Sequence, residues 1–525
     1  MRSGGMRRFG LLLVILALLS PPAFAADDAA SLALKGLKLL DNWQMERAGE
    51  IAEKLADDES PGTLYFLGRY HFERGDYETA LDYLNGAGDW KPSARTPDYA
   101  PFLRAAFDNV KRMKRTQSEH FEIRFEPGKD ELLVEAAIET LEKARAALAE
   151  DLGYAPPERI VVEFYPRLEM LSAGSGLSME ALRTSGTIAV CKWNRLMVSS
   201  PRVAVYGYAW RDTLNHEYVH LVISRAAGDT IPIWLHEGLA KMHELRWRRP
   251  PGGELTPSAE SLLARAFKEN KLVTLDEMHP SMALLPSQDH AALAYTQVLT
   301  MIQWLHGLKG EGGLRALVQA ARDEEGDLDR AFLKVYSFNV RGLELNWKQA
   351  MQRRHLKELD YDFDDYKILF AGSGEPDPEA EIRKIKTKRG RDYMTLGKLL
   401  KDRRHPEAAV AEFKKATATL GPANPLLMNY LADSELELGH YQEAYHGLQA
   451  VLAYAPNYLP SHLRAAQALT ALNRPADALP HLETAFAINP FDPRVYKLME
   501  TCYDKLGLKD KADQARRNLE RLGEG

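Results

Sequence analysis

The sequence predicts an α+β domain set between two groups of helical hairpins, and three observations predict it. Strand-like segments are gathered between residues 118 and 199, and helical ones follow to about residue 352; strands first and helices afterward describe an α+β domain. Near the C-terminal end Pro422, Pro456 and Pro490 recur every 34 residues, as do Leu438, Leu472 and Leu506, and Ala444, Ala478 and Ala512. Near the other end Gly75-Asp76-Tyr77-Glu78-Thr79-Ala80 echoes Gly439-His440-Tyr441-Gln442-Glu443-Ala444.

At 525 residues the chain is too long for one core, so several domains are expected. Hydrophobic residues make up 45% and charged residues 27%, a soluble globular balance. The net charge of -6 excludes a general nucleic-acid binder, which needs a basic footprint. The run Lys111-Arg112-Met113-Lys114-Arg115 is read as a solvated helix end before a linker. The N-terminus reads as an export signal over residues 1–25. Arg2, Arg7 and Arg8 precede an apolar run over residues 9–19, Ser20-Pro21-Pro22 breaks it, and Ala23-Phe24-Ala25 offers small residues for cleavage before Ala26. The run is shorter than the roughly 20 residues a membrane span needs. A periplasmic or secreted protein without a stable membrane span is the expectation. Cys191 and Cys502 stand in no metal-binding or redox motif and fall in different expected domains, so no bridge between them is expected.

The 34-residue step is the length of one helix-turn-helix unit in tetratricopeptide repeats, and residues 391–523 resemble such an array. Gly439, Asn473 and Gly507 share a register suited to a tight turn. Residues 27–115 read as about two degenerate units, with Trp43 and Tyr77 also 34 apart; an unrelated helical hairpin is the alternative. Such arrays present a groove that holds a peptide or a protein partner. Residues 353–390 are charged and contain Gly372, Gly374, Pro376 and Pro378, which suggests a linker.

Between the arrays, residues 120–125 alternate as a strand does, and residues 132–152 form a helix rich in Ala, Glu and Leu. Residues 159–165 are a buried type of strand around Ile160-Val161-Val162. Two shorter strand-like runs follow at 187–193 and 196–199, after a loop punctuated by Gly174, Gly176 and Gly186.

The chemistry lies in residues 211–245. His216-Glu217-Tyr218-Val219-His220 is a His-Glu-x-x-His motif. Residues four apart lie one turn up the same helix face, so both imidazoles can reach one ion, with Glu217 beside its water. Thr213, His216, Glu217 and His220 share one face; Leu214, Tyr218, Leu221 and Val222 share the other, and Gly228 terminates the helix. A second helix begins after Pro232 and carries Glu237, 17 residues beyond His220, as a third ligand. Gly238 and Ala240 are small enough to let this helix approach the first. Three protein ligands leave a fourth position open to water, as in catalytic rather than structural zinc sites.

On these motifs, residues 118–352 resemble the gluzincin clan of metallopeptidases, and specifically the exported peptidase-MA-like domains. The phrase Pro232-x-Trp234-Leu235-x-Glu237-Gly238-x-Ala240 carries the likeness, with Ala294-Tyr295-x-Gln297 and the segment from Phe332 to Trp347. The resemblance implies one Zn2+ held by His216, His220 and Glu237, Glu217 as the general base, and hydrolysis of peptide bonds. It also implies a tyrosine or histidine from a later segment as oxyanion donor. Tyr295, which opens an expected helix after the loop at residues 280–288, is the first choice, with an ordinary core tyrosine as the alternative. Better-known gluzincins place a carboxylate four residues after the glutamate ligand; this sequence has Lys241 there, and Glu244 one turn further on.

Other residues receive plainer readings. His236 points about 100° away from Glu237 around the helix and is not counted as a ligand. His243, His279 and His290 are cleft, surface or core histidines. Arg246, Arg248 and Arg249 either complement a helix C-terminus or hold a substrate carboxylate. One of the strands between residues 187 and 199 is expected to pair with the substrate backbone. Two other functions remain in view: a non-enzymatic tetratricopeptide scaffold with an inactive or structural zinc domain, and a zinc amidase acting on cell-wall peptides.

Overall fold

The computed structural model describes residues 26–93, 100–228, 230–253, 255–359, 367–372, 378–385 and 387–523. The export segment (residues 1–25) and the linker residues Gly374 and Pro376 lie outside the described residues.

Two helical hairpins come first, α1 (Ala26–Asp41) with α2 (Met45–Lys54) and α3 (Pro61–Glu73) with α4 (Tyr77–Ala87), then α5 (Ala100–Val110). Trp43 and Gly75 each stand two residues before the second helix of a hairpin, with φ of 56° and 73°. The structure therefore aligns Trp43 with the turn residue Gly75, correcting the match to Tyr77 that the 34-residue spacing suggested.

Next come β1 (Lys114–Gln117), β2 (Phe121–Phe125), α6 (Glu131–Leu152), β3 (Ile160–Tyr165), α7 (Leu168–Ser175), α8 (Met179–Ser185), β4 (Ala189–Lys192) and β5 (Arg195–Ser199). They build one five-stranded sheet in the order β1-β2-β3-β5-β4. β2, β3 and β5 run parallel, and β1 and β4 are antiparallel edges. β4 and β5 are joined by a two-residue turn at Trp193-Asn194, both with positive φ, which suits the strand twist. The basic run at residues 111–115 does follow a helix end, since α5 stops at Val110, but it leads into a strand rather than a linker. Its last two residues enter β1 and pair with β2, Lys114 opposite Phe125 and Arg115 opposite Arg124. Charged side chains are tolerated there because β1 is an edge with exposed faces.

The period of two along each strand splits the sheet into two different faces. Phe121, Ile123, Phe125, Ile160, Val162, Phe164, Leu196 and Val198 enter a core shared with α6 and the later helices. Tyr165 and Met197 enter a second core built from α1–α5, α7 and α8. That second face also buries charge. Glu163 accepts hydrogen bonds from Tyr77 and Tyr165, each at 2.6 Å, and pairs with Arg124 at 3.2 Å and Arg195 at 3.7 Å. Arg124 also donates to the Gly75 carbonyl, and Arg195 to that of Phe72. The N-terminal hairpins are thus a layer of the sheet, tied to it by a buried ionic knot.

α9 (Trp210–Ala227), α10 (Ile233–His243), α11 (Pro257–Glu269), α12 (Gln288–Asp323), α13 (Leu328–Tyr336) and α14 (Val340–Arg354) complete the central region. The linker residues Leu369 and Ala371 bond across to Val205 and Val203. α15 (Pro378–Arg383) precedes four hairpins: α16 (Lys388–Asp402) with α17 (Pro406–Leu420), α18 (Pro425–Glu437) with α19 (Tyr441–Tyr454), α20 (Leu459–Ala471) with α21 (Pro475–Ile488), and α22 (Pro493–Lys505) with α23 (Lys509–Arg521). The 34-residue pattern acquires its physical meaning here. Leu438, Leu472 and Leu506 cap the first helix of successive units, and Ala444, Ala478 and Ala512 are buried in the first turn of the second.

The array seats its last units on the central region. Trp210 donates its indole N–H to the Phe486 carbonyl, and the Tyr208 N–H meets the Ile488 carbonyl at 3.0 Å. Gly207 permits the approach: a Cβ there would stand 2.3 Å from the Ile488 carbonyl oxygen. Leu132 joins Tyr496, Leu519 and Leu522 in a small core beside this contact. Cys191 and Cys502 are both free. Among the described residues no helix is long and apolar enough to cross a membrane.

Candidate metal centre

α9 forms because its Leu214, Tyr218, Leu221 and Val222 share a buried stripe, and it ends at Gly228, whose left-handed backbone caps it. Four residues later Pro232 starts α10, which returns beside α9. Asn215 fastens the pair by donating from its amide to the carbonyls of His243 and Glu244, both at 2.8 Å. Gly238 plays a different part from the one expected. A Cβ on it would lie 2.6 Å from Ile302 and 3.0 Å from the Val298 carbonyl, so it admits α12 rather than α9.

This packing brings three ligand atoms together. Nε2 of His216 and Nε2 of His220 are 3.2 Å apart, and Oε2 of Glu237 lies 3.1 Å from the first and 3.2 Å from the second. A tetrahedral zinc ion bonded at 2.0–2.1 Å spaces its ligands by about 3.3 Å. The donor set fits such an ion in kind and in spacing. Each ring also has a partner behind it: Nδ1 of His216 is 3.7 Å from Glu244, and Nδ1 of His220 is 3.5 Å from Nδ1 of His236. With those Nδ1 atoms protonated, both Nε2 lone pairs and the carboxylate oxygen point at one place, an arrangement that calls for a cation.

The electrostatics follow from that crowding. Burial opposes a charged His216, but Glu237, Glu244 and Glu217 outweigh it and raise its pKa to about 9. Burial also works against ionised Glu237, yet His220 and His216 hold it well below the usual carboxylate range. Glu217 shows the opposite balance: burial lifts its pKa above the ordinary value despite the two histidines and a backbone hydrogen bond at Cys191. Burial pushes the Tyr295 hydroxyl far up, so it stays protonated. His236 is lowered to about 3 by burial and by His220, and is therefore neutral.

All of these groups except Glu244 line one cleft of about 710 Å³, together with Cys191 and Lys192 of the edge strand β4. Tyr295 lies with its ring centre 6.4 Å from that of His216. It does not open its helix as expected: Ser287 caps α12 at Gln288, and Tyr295 sits two turns inside. His279 also lines the cleft. His290 is exposed at the start of α12, near the Ser287 hydroxyl. His243 is buried behind α10 between the Leu239 carbonyl and Glu311. Arg246 grips both oxygens of Asp151, and Arg248 pairs with Asp212, so neither waits for a substrate carboxylate; Arg249 is exposed and outside the cleft lining. Asp151, His243 and Glu311 form a second close group of metal-ligand type, but with Arg246 on Asp151 it reads as an ion-pair knot joining α6, α10 and α12.

Two contributors escaped sequence reasoning. Asn215 sits beside a ligand but carries no motif, and its role appears only once α10 ends against it. Trp43 lines the cleft from the far N-terminal hairpin, a contact that no spacing announces.

Residues 140–353 match the Peptidase MA superfamily, and residues 435–502 match the tetratricopeptide repeat. The chain thus carries a peptidase-MA domain flanked by helical repeats. That superfamily is typically metal-dependent, and its likeness makes the central region peptidase-like; the repeats are of a kind that binds other proteins. Three solved structures that align with parts or most of the chain are the following. MamA from Desulfovibrio magneticus RS-1 is 25% identical over 26% of this chain and 76% of its own, with a TM-score of 0.25. TTC0263, a thermophilic TPR protein of Thermus thermophilus, is 25% identical over 25% of this chain and 74% of its own, with a TM-score of 0.23. The APC/C hetero-tetramer Cut9-Hcn1 aligns over 95% of this chain and 79% of that one at 14% identity, with a TM-score of 0.26. No curated protein matches the chain.

Proposed function

We propose that this protein is an exported zinc-dependent peptidase whose repeats recruit a protein substrate or partner. The observation that carries the reading is the triangle of His216, His220 and Glu237 on the wall of a cleft that also holds Glu217. Export is supported by the basic, apolar and small-residue pattern of residues 1–25.

His216, His220 and Glu237 would hold a divalent ion, which would supply an acidified water and Lewis-acid polarisation of a substrate carbonyl. The chain does the rest. A peptide pairs along β4, the edge strand whose Cys191 and Lys192 line the cleft, which places one carbonyl beside the triangle. Glu217, its proton affinity raised by burial, takes the proton of the attacking water and delivers it to the leaving nitrogen. Tyr295 keeps its proton and donates a hydrogen bond to the developing oxyanion. Glu244, held by Lys241 at 2.6 Å, steadies His216 from behind.

The test is incubation of the zinc-loaded protein with casein and, separately, with peptidoglycan fragments. Cleavage of casein at peptide bonds is expected. Cleavage confined to peptidoglycan favours the amidase alternative, and no cleavage of either favours the scaffold.

The charge on His216 also gives the loading reaction a pH dependence. In the metal-free site the ring holds a proton up to about pH 9, and an ion must displace it. Zinc affinity therefore rises about tenfold per pH unit between pH 7 and 9, with release of a proton, and levels off above that. Calorimetry in buffers of different protonation enthalpy reads the proton directly; affinity that is flat or falling over this window contradicts the assignment.

A further inference from the structure

The helical hairpins of this chain share one turn conformation, and Trp43 is the one aromatic residue that takes it. The residue two places before the second helix is left-handed in every case: Gly75, Arg404, Gly439, Asn473 and Gly507, with φ between 57° and 76°. Glycine takes this conformation freely and asparagine tolerates it. Trp43 occupies the same place between α1 and α2 with φ of 56°. A bulky aromatic side chain there is strained, and such strain persists where the surroundings impose it and a function uses it.

The surroundings do impose it. Glu46, in the first turn of α2, accepts from the Tyr154 hydroxyl at 2.5 Å and pairs at 3.1 Å with Arg225, whose side chain is fully buried on α9. Arg225 is itself held by Asn194 and Glu158. Gln44 and the Asn42 carbonyl lie against Gly228, at the end of the same helix. The turn is thus clamped to the helix that carries His216 and His220, and the half-buried Trp43 lines the same cleft. Leu177, Ile231, Ile233 and Leu328 share that lining, so the cleft wall is apolar as well as ionic. Trp43 lies outside the residues that match the peptidase superfamily, so this wall is a contribution of the N-terminal hairpins.

We infer that Trp43 is a specificity-determining residue, forming with Leu177, Ile231, Ile233 and Leu328 a subsite for a large apolar side chain, aromatic by preference, of the bound peptide. The inference rests on the reading of the cleft as a peptide site. Trp43 carries neither a titratable nor a metal-ligating group and takes no part in bond breaking; it selects. An aromatic side chain entering this portion leaves water for an apolar surface, whereas alanine at the same place gains almost nothing.

The test uses the full, zinc-loaded chain and a set of capped alanine heptapeptides in which one phenylalanine is walked through every position. Binding is measured in the Glu217→Gln background, where peptides are not consumed, and kcat and KM are measured with Glu217 present. One phenylalanine position is expected to bind about tenfold or more tightly than the all-alanine peptide. Trp43→Gly should abolish that preference, with the loss falling on KM, and Trp43→Phe should keep most of it. Because glycine accepts the left-handed turn, Trp43→Gly should melt no lower than the parent, which separates a lost subsite from a lost fold. A parent with no preferred position, or a folded Trp43→Gly that keeps the preference, overturns the inference. A preference in binding without turnover of any peptide leaves the subsite standing and refutes the peptidase instead.

Discussion

Glu217→Gln lowers peptide hydrolysis by about 10²–10⁴-fold while the protein keeps its ion. The size is that of removing a positioned general base. Glutamine has nearly the shape of glutamate and can still accept the backbone hydrogen bond at Cys191, so the cleft should not rearrange. What it lacks is the ability to take a proton from water and hand it on. The three ligand atoms belong to His216, His220 and Glu237 and are untouched. The expected signature is a fall in kcat with little change in KM and an unchanged metal content, read from casein or fluorogenic-peptide cleavage beside elemental mass spectrometry. Turnover within tenfold of the parent removes Glu217 from the role of base.

The second large effect concerns stability. Glu163 is fully buried, and its carboxylate serves two tyrosine hydroxyls and two buried arginines. In Glu163→Ala, Arg124 keeps Glu122 at 2.8 Å, but Arg195 is left with one carbonyl and the faces of Phe72, Tyr77 and Trp193. Stranding a buried charge in this way costs about 3–5 kcal/mol. Urea unfolding of the variant should show that loss. Because the knot joins the N-terminal hairpins to the sheet, limited proteolysis should release that layer first. A change below about 1 kcal/mol means the knot does not hold the two layers together.

The sequence was legible where the physics is local. The 34-residue step reported the unit length because each unit repeats one packing solution, with leucine capping one helix and alanine packed in the next. The α+β order of elements and the α9 helix could be read for the same reason, since periodicity and turn residues act within a few positions. The convergence of His216, His220 and Glu237 was readable too: the two histidines are one turn apart, and the run from Gly228 to Pro232 has the length of a reversal. What the sequence concealed depends on long-range approach. Nothing near Gly238 says that its missing side chain makes room for Ile302 rather than for α9. The basic residues 114 and 115 look like a helix end until the edge of a sheet forms beside them. Trp43 resembled Tyr77 by spacing and proved to be a turn residue, because the first hairpin is closed by contacts with α9 and the second by Gly75.

Metal analysis of the purified chain is the most direct measurement of whether two helices jointly hold one ion. The expectation is about one zinc per chain in the parent, and a large loss in both His220→Ala and Glu237→Ala under conditions where Glu217→Gln retains it. A parent without stoichiometric metal after zinc loading, or a Glu237→Ala protein that binds zinc as tightly as the parent, contradicts the account.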